Sequence, residues 1–228
     1  MLIDPHVHSS GVSLCSRITC EKIIDNKIAA GYNGAVLTNH CQSWYFEPKN
    51  QNDWTERMIK EWENGALYAE KLGFKLLFGV EVTINDPIMS DWLLYGVTRE
   101  FMRKCPCLYM LNQQQLFSLC SDNGVFLVQA HPLRHSEYPA LVKYMNGIEI
   151  NCTPSDYEKK EKVIEFAQKN NLLLTCGTDY HSSDNVFKGG MIVPDDIKRA
   201  EDFAEYLFNA TETALVLGGE EKTFKKDN

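Results

Sequence analysis

Residues 1–8 read Met-Leu-Ile-Asp-Pro-His-Val-His, so a short apolar run leads directly into two histidines separated by one residue. The hydrophobic residues predict a buried strand over residues 1–4. Side chains alternate in direction along an extended chain, so His6 and His8 lie on the same side of it. Two neighbouring imidazoles on one side can bind the same ion. The start of the chain therefore predicts a strand that ends in a candidate metal-binding pair.

Further short apolar runs follow along the chain and predict strands at 34–38, 75–82, 92–97, 125–130, 147–151 and 172–176, with a weaker one at 191–193. The runs are continuously hydrophobic, which is typical of parallel strands covered on both faces. Helical patterns lie between several of them: one behind Thr19, a long one opened by a capping box at 53–56, and one opened by a second box at 155–158 that runs to about residue 170. This alternation favours right-handed βαβ units, in an open doubly wound sheet or a closed barrel.

The composition is that of an ordinary globular protein: 228 residues, of which 44% are hydrophobic and 24% charged. A chain of this length favours a single domain, which we place at residues 1–219. Residues 220–228 are charge-rich and are predicted to form a frayed C-terminal tail. No apolar run approaches a membrane span, and polar residues interrupt the N-terminus at once, so we expect no signal peptide, no membrane partner and a cytoplasmic location.

The charge balance is −8 at neutral pH, which opposes binding to a nucleic-acid backbone, and the sequence has no strong nucleic-acid signature. A small phosphorylated substrate would have to be bound by local cations, either metal ions or arginines. The 8 cysteines form no repeated CxxC pair and are interpreted mainly as buried, reduced thiols.

Most candidate ligands stand at the carboxyl ends of the predicted strands, and in a parallel barrel those ends converge on one face, where active sites are built. They are His6, His8, His40, Glu81, His131, Asp179 and His181. Mixed nitrogen and oxygen ligands indicate zinc, manganese or iron rather than calcium. So many ligands predict two or three divalent ions, which would clamp a phosphoryl group and supply hydroxide near neutral pH. His135 lies outside the pattern and is interpreted as a loop histidine, with an outer supporting role as the alternative.

Five short motifs stand in a fixed order between residues 4 and 181: Asp4-Pro5-His6-Val7-His8-Ser9, Thr38-Asn39-His40, Gly79-Val80-Glu81, Ala130-His131-Pro132 and Gly177-Thr178-Asp179-Tyr180-His181. Together they resemble the motifs of the PHP (polymerase and histidinol phosphatase) superfamily. The resemblance implies an α/β fold, a distorted (β/α)7 TIM-like barrel in a single domain, with up to three metals and phosphoesterase activity.

The resemblance also implies a distribution of the ligands. One ion would take His6, His8, Glu81 and Asp179; Glu81 would bridge to a second ion held also by His131; and a third would take His40 and His181.

Three positions depart from the family pattern. Cys15 stands where an acidic residue or histidine is usual, Asn39 replaces an aspartate, and Asp91 stands near the place of an expected histidine. Cys15 is either a thiolate ligand that favours zinc or iron, or a loop thiol.

Substrate contacts are assigned to Arg17, Arg134 and Lys188, which follow the metal motifs in loops or precede a glycine pair. A guanidinium can hold two phosphate oxygens at once. Each of these residues could instead be an ordinary surface cation. Glu149 and Asn151 close a strand, where they either orient a ligand histidine or only pack.

The sequence thus predicts a metal-dependent hydrolase that cleaves a small phosphomonoester by attack of a metal-bridging hydroxide, with Glu81, Asp179 and His181 as catalytic residues. Two alternatives stay open. One is another metallohydrolase, for example of a phosphodiester or an amide, and the other is a catalytically silent metal-binding or regulatory domain of the same fold.

Overall fold

A computed structural model describes residues 1–45, 51–86, 88–184 and 187–226. The strands in chain order are β1 Leu2–Val7, β2 Gly34–Leu37, β3 His40–Cys41, β4 Lys75–Ile84, β5 Ser90–Tyr95, β6 Phe126–Gln129, β7 Gly147–Asn151, β8 Leu173–Gly177, β9 Gly189–Ile192, β10 Glu212–Leu217 and β11 Glu220–Lys225. The α-helices are α1 Cys20–Ala29, α2 Gln51–Lys71, α3 Arg99–Lys104, α4 Gln113–Asp122, α5 Pro154–Tyr157, α6 Lys160–Lys169 and α7 Ala200–Asn209.

The walls of a barrel are formed by β1, β2, β4, β5, β6, β7 and β8, which pair in that order. A parallel bridge between Val7 and Tyr180 closes the barrel, because the segment after β8 runs beside the end of β1. Two backbone hydrogen bonds accompany this bridge, from His8 N to Tyr180 O (2.9 Å) and from Tyr180 N to His6 O (3.2 Å). The predicted α/β class and distorted seven-stranded barrel are confirmed.

The direction of β5 differs from the prediction of parallel strands, because β5 pairs antiparallel with both β4 and β6. Only residues 85–89 separate β4 from β5, and a parallel connection needs a crossover of a dozen or more residues. The weaker predicted strand is β9, and it pairs antiparallel with β1.

Two strands at the C-terminus extend the sheet beyond the barrel. β10 pairs antiparallel with β9, and β11 pairs antiparallel with β10 over the whole of Glu220–Lys225. The prediction of a frayed tail is therefore wrong for residues 220–225, because backbone pairing orders a segment whose charged side chains face solvent. Residues 227 and 228 lie outside the described part of the chain.

The helix starts agree in part with the capping signals. α1 begins at Cys20, and the Thr19 hydroxyl accepts a hydrogen bond from Lys22 N at 3.3 Å, as predicted. α2 begins at Gln51, before the predicted box at 53–56, so that assignment is wrong. A single helix was predicted from the capping box at 155–158. The structure has two helices there, α5 and α6, because the helix ends at Tyr157 and a new one begins at Lys160.

The hydrophobic core contains large side chains from both the barrel and its covering helices. Trp92 and Tyr95 of β5 and Phe203 of α7 are among the largest fully buried side chains. The Tyr95 hydroxyl donates to the Pro5 carbonyl at 3.2 Å, which fixes the end of β1 from inside the fold. Within the described ranges, each helix is too short or too polar to cross a bilayer.

Candidate metal centre

The candidate ligands converge at one end of the barrel, although they come from distant parts of the sequence. His6 and His8 come from the end of β1, Glu81 lies within β4, and Asp179 follows β8. His6, His8 and Glu81 have no exposed surface, and His131 and Asp179 are 4% and 5% exposed. The barrel therefore buries imidazoles and carboxylates together, which is unfavourable unless they are paired or bind a cation.

An inner set consists of His6, His8, Glu81 and Asp179. Asp179 Oδ1 lies 3.3 Å from both His6 Nε2 and His8 Nε2. Glu81 Oε1 lies 3.5 Å from His6 Nε2, and Glu81 Oε2 lies 3.4 Å from His8 Nε2. Four ligands at about 2.1 Å from a tetrahedral ion would be about 3.4 Å apart. The separations in the inner set are those of a coordination shell.

Buried polar atoms without a hydrogen bond give an independent test of whether these side chains suit bound cations. Buried atoms without a hydrogen bond in the described structure include His6 Nε2, His8 Nε2, His40 Nδ1, His131 Nδ1 and Glu81 Oε2. Such orphaned atoms are rare in folded proteins and need an explanation. The inner-set atoms face one another, so a cation shared between them accounts for their orientation. The residues present fit divalent ions.

A second group joins His131 to the inner set through Glu81. His131 Nε2 lies 2.9 Å from Glu81 Oε1, and His6, Glu81 and His131 form one candidate ion site. Glu81 therefore stands between the inner set and His131, which is the bridging position assigned to it from the sequence.

A third group comprises His8, His40 and His181, whose ligand atoms lie within 4.8 Å of one another. The rings of His40 and His181 each stack on His8 with centroids 4.3 Å apart. The side chains of His40 and His181 are 14% and 24% exposed, so this group forms the solvent side of the centre.

The electrostatics of the centre follow from burial opposed by close charges. Burial lowers the pKa of His6, but the carboxylates of Glu149, Asp179 and Glu81 outweigh it and raise that pKa well above the usual range. Burial and the neighbouring imidazoles of His181 and His40 lower the pKa of His8 well below it.

The carboxylates show the complementary shifts. Burial raises the pKa of Glu81, but His40 and His6 outweigh it, and the pKa lies well below its usual range. The pKa of Asp179 is likewise lowered against the effect of burial, first by the charge of His6 and then by the nearby imidazoles of His181 and His8. Both carboxylates are thus held as anions, the form that binds cations.

Glu149 orients two of the histidines from behind. Its Oε1 lies 2.7 Å from His6 Nδ1, and its Oε2 accepts hydrogen bonds from His131 N and Asn151 Nδ2, each at 3.0 Å. Gly177 leaves the space for this contact, since a Cβ there would lie 2.5 Å from His6 Cβ. Of the two roles left open for Glu149 and Asn151, the contacts support orientation of a histidine.

A buried ion pair, which was not predicted from the sequence, supports the same region. Asp4 Oδ1 accepts from His6 N (3.2 Å) and Thr178 N (3.1 Å), so one carboxylate ties the end of β1 to the segment after β8. Asp4 Oδ2 pairs with Lys27 Nζ at 2.5 Å, and Lys27 also donates to Thr178 Oγ1 at 3.1 Å. Lys27 looked like an ordinary polar residue of α1, so no local pattern marked it.

Two candidate ligands have unusual backbone conformations. His131 and Asp179 have φ values of +27° and +52°, in the region that non-glycine residues rarely adopt. Such conformations cost free energy and cluster at functional sites. The strain is therefore located at two residues that face the centre.

Comparison with known proteins supports the fold assignment. No known family matches the chain by sequence, and no curated protein does. A two-domain protein from Bacteroides vulgatus containing a predicted PHP-like metal-dependent phosphoesterase has a similar structure, with a TM-score of 0.71, 18% identity and 97% of this chain covered. The chain has a PHP-like fold.

Two other solved structures share this PHP-like fold with lower scores. The lesion-specific endonuclease EndoQ from Pyrococcus furiosus has a TM-score of 0.60 at 16% identity, with 90% of this chain covered. An amidohydrolase from Chromobacterium violaceum, solved with bound sulfate and no metal, has a TM-score of 0.58 at 15% identity, with 90% of this chain and 96% of that chain covered. This chain spans 66% of the Bacteroides protein and 55% of the endonuclease.

Cys15 lies near the third group of the centre. The Tyr45 hydroxyl donates to its sulfur at 3.8 Å. Burial raises the pKa of Cys15, but the hydrogen bonds from His181 and His40 outweigh it and lower the pKa to about 6. The two interpretations of Cys15, a thiolate ligand and a loop thiol, both stay predictions.

Asp91 contacts His131 and His135 at the edge of the centre. Its Oδ2 lies 3.7 Å from His131 Nδ1 and 3.1 Å from His135 Nε2, and the Thr83 hydroxyl donates to its Oδ1 at 2.6 Å. Asp91, His131 and His135 also satisfy the spacing of a metal site. His135 thus lies at the edge of the centre, which agrees with the alternative supporting role given to it. The sequence feature that could have indicated this position is its spacing of four residues after His131.

The assigned substrate cations differ in their positions. Arg134 contacts Asp179 Oδ2 at 2.8 Å and Asp156 Oδ2 at 2.7 Å, so its guanidinium is at the centre and held by two carboxylates. Arg17 is exposed, and its backbone N donates to His181 O at 2.8 Å, which places it at the rim. Lys188 lines a separate cleft of about 390 Å³ with Tyr32 and Tyr180.

Proposed function

We propose that this chain is a metal-dependent phosphoesterase that hydrolyses a small phosphomonoester. The observation that carries the proposal is the convergence of buried imidazoles and carboxylates with orphaned atoms facing one another. Divalent ions in such a site neutralise phosphoryl oxygens and lower the pKa of a bound water, which supplies hydroxide near neutral pH.

The substrate approaches from the solvent side of the centre. Arg134, His181 and His40 have side chains that are 31%, 24% and 14% exposed, whereas those of His6 and Glu81 are fully buried. A phosphoryl group on this side meets the Arg134 guanidinium, which can donate to its oxygens while Asp156 keeps it in place. The Chromobacterium neighbour binds sulfate, a tetrahedral anion like phosphate, which supports an oxyanion substrate.

The protein residues have distinct tasks in this proposal. Glu81 and Asp179 would hold the cations. Glu149 keeps His6 in the tautomer whose Nε2 lone pair faces the centre. His181 Nδ1 lies 2.8 Å from the Asp179 carbonyl oxygen, which fixes the ring at the exposed side of the centre.

A generic aryl phosphate tests the proposal. Purified protein should release the aryl alcohol after addition of zinc, manganese or iron(II), and a chelator should stop the release. Asp179→Ala should abolish turnover while the circular dichroism spectrum stays unchanged. Asp122→Ala, which removes an exposed carboxylate at the end of α4, should leave turnover unchanged. No release with any of the three ions would overturn the proposal.

A phosphodiester is the second candidate substrate, because the Pyrococcus neighbour is an endonuclease. The net charge of −8 opposes binding to a nucleic-acid backbone, so we rank it below the monoester. An assay of three substrates distinguishes diester from monoester hydrolysis: the aryl phosphate monoester, a bis-aryl phosphate and a single-stranded oligonucleotide. Faster turnover of either diester would reverse the ranking.

A further inference from the structure

Asn39 lies in a buried hydrogen-bond network beside the inner set. It stands between β2 and β3, and its side chain contacts the loop that follows β1. Its Oδ1 accepts from Ser9 N at 2.9 Å and from the Ser13 hydroxyl at 2.8 Å. Its Nδ2 donates to the Ser9 hydroxyl at 3.0 Å. All three residues are buried, so the two ends of the amide are fixed by protein contacts.

The direction of each hydrogen bond in this network follows from the groups that can only donate. A backbone N–H has no lone pair to offer, so the Asn39 atom that faces Ser9 N is the amide oxygen. That oxygen cannot donate either, so it takes the only proton of the Ser13 hydroxyl. His40 N donates to the Ser13 oxygen at 3.1 Å and occupies one of its two lone pairs. The other lone pair is available to His8 Nδ1, which lies 3.4 Å away.

Ser13 can therefore only accept from His8, and this sets the tautomer of the ring. With the proton on Nδ1, the lone pair is on Nε2. Nε2 lies 3.3 Å from Asp179 Oδ1 and 3.4 Å from Glu81 Oε2. In the described structure, His8 Nε2 and Glu81 Oε2 are both buried without a hydrogen bond. Two acceptors at this distance repel each other unless they share a cation, so the network makes His8 a ligand rather than a donor to the carboxylates.

We infer that Asn39 is a positioning residue of the metal centre: through the Ser13 hydroxyl, it holds His8 in the tautomer whose Nε2 binds an ion. The inference rests on the metal centre of the proposed function and adds what orients one of its ligands. The Asn39 carbonyl also accepts from Glu81 N at 3.2 Å, so one residue contacts the segments that carry two ligands. Because its side chain is neutral, Asn39 orients His8 without placing another anion beside the inner set.

Titration of the full-length, metal-free protein with zinc tests the inference. Ser13→Ala removes the acceptor of His8 Nδ1, and Asn39→Ala frees the Ser13 proton to bind that nitrogen instead. Each change should weaken zinc binding at the inner set by about 10–100-fold. The double variant should bind zinc no more weakly than Asn39→Ala, because both changes act on the same nitrogen. Losses that arise from general disruption of packing would add.

Two further variants control for charge and for the loop. Asn39→Asp keeps an oxygen that accepts from Ser13, so it should bind zinc at least as tightly as the wild type. Ser16→Ala removes another buried hydroxyl of the same loop, one that donates to the His8 carbonyl at 2.8 Å and does not contact the ring. It is the matched control for Ser13→Ala and should keep the zinc affinity of the wild type.

¹⁵N NMR of the zinc-loaded protein, labelled at histidine, reads the tautomer directly. The shift of a ring nitrogen distinguishes one that carries a proton from one that binds a metal, and His8→Gln identifies the signals of His8. The wild type should show a proton on Nδ1 and zinc on Nε2. In Ser13→Ala, the Nδ1 proton should exchange with solvent faster, since it has lost its acceptor. The wild-type spectrum gives a result even where a variant does not fold.

Several outcomes would overturn the inference. They are a wild type that binds no zinc or binds it through His8 Nδ1, unchanged zinc affinity in Ser13→Ala and Asn39→Ala, losses that add in the double variant, and an equal loss in Ser16→Ala. Zinc on His8 Nε2 without phosphatase activity would sink the proposed function and leave this inference standing. Phosphatase activity with unchanged zinc affinity in both single variants would do the reverse.

Discussion

Replacing Lys27 by methionine tests whether the buried ion pair holds the two ligand-bearing segments together. Lys27 and Asp4 are 3% and 0% exposed, and Asp4 binds the backbone of both His6 and Thr178. Methionine keeps the length of the side chain but leaves the Asp4 carboxylate buried without its cation. Breaking a buried pair in this way costs about 3–5 kcal/mol. The loss includes the contact of Lys27 Nζ with the Tyr180 ring, 4.2 Å from its centroid.

Urea unfolding followed by circular dichroism measures this cost. With a slope of about 2–3 kcal/mol per molar urea, the expected loss lowers the unfolding midpoint by about 1–2.5 M. A chelator is present throughout, so that metal binding does not contribute. Lys104→Met, which removes the exposed pair between Lys104 and Glu100, is the control and should leave the midpoint unchanged.

The double variant Asp4→Asn/Lys27→Met separates the ion pair from the loss of volume. Asparagine can still accept hydrogen bonds from His6 N and Thr178 N, and it has no charge to leave buried. We therefore expect the double variant to be more stable than Lys27→Met by about 1–3 kcal/mol. A midpoint of Lys27→Met as high as that of the Lys104→Met control would refute the reasoning.

Three further predictions concern the centre. Glu149→Gln should weaken zinc binding by about 10–100-fold in isothermal titration, because His6 loses its orienting carboxylate. In the metal-free protein, burial lowers the pKa of His40, but Glu81 and Cys15 outweigh it and raise that pKa to about 10. Burial likewise lowers the pKa of His181, but Asp179 outweighs it and raises that pKa to about 10. The pKa of each histidine is about 6.5 in the unfolded chain. Their stabilisation is thus complete below about pH 6.5 and is lost as the pH rises through about 10, which urea midpoints in chelator will follow. Zinc at about 100 times its dissociation constant should stabilise the fold by about 2.7 kcal/mol, which thermal unfolding measures.

Each of these predictions has its own contrary result. Unchanged zinc affinity in Glu149→Gln would mean that Glu149 only packs behind the centre. A urea midpoint that rises between pH 7 and pH 10 without metal would contradict the charges assigned to the two histidines. Equal melting temperatures with zinc and with chelator would mean that no ion binds the folded protein preferentially.

The sequence predicted the barrel and the place of the centre because both depend on strong local signals. Continuous apolar runs indicated the strands, and His6, Glu81 and Asp179 stand at or near the ends of the predicted strands. The convergence of strand ends then follows from the topology of a barrel. The antiparallel direction of β5 was also readable, since the nine residues 83–91 between the predicted strands are fewer than the dozen that a parallel crossover needs.

What the sequence did not reveal depends on contacts between distant segments. Nothing near Lys27 in the sequence indicates that its side chain is buried, because its partner Asp4 lies in β1 and Lys27 lies in α1. The contact between His135 and Asp91 likewise joins residues 44 positions apart, so the loop histidine gave no sign of its partner. Glu149 had two equal interpretations until its distance to His6 was known. Local pattern gives the elements, and only the packed fold gives the residues that support the ligands.

The presence of ions among His6, Glu81, His131 and Asp179 is the claim on which the rest depends. Crystals grown with zinc and measured on both sides of its absorption edge would locate any bound ion directly. We predict anomalous difference peaks within about 2.3 Å of His6 Nε2 and Asp179 Oδ1, with a further peak between Glu81 and His131. A zinc-saturated crystal with no peak among these side chains would contradict the account.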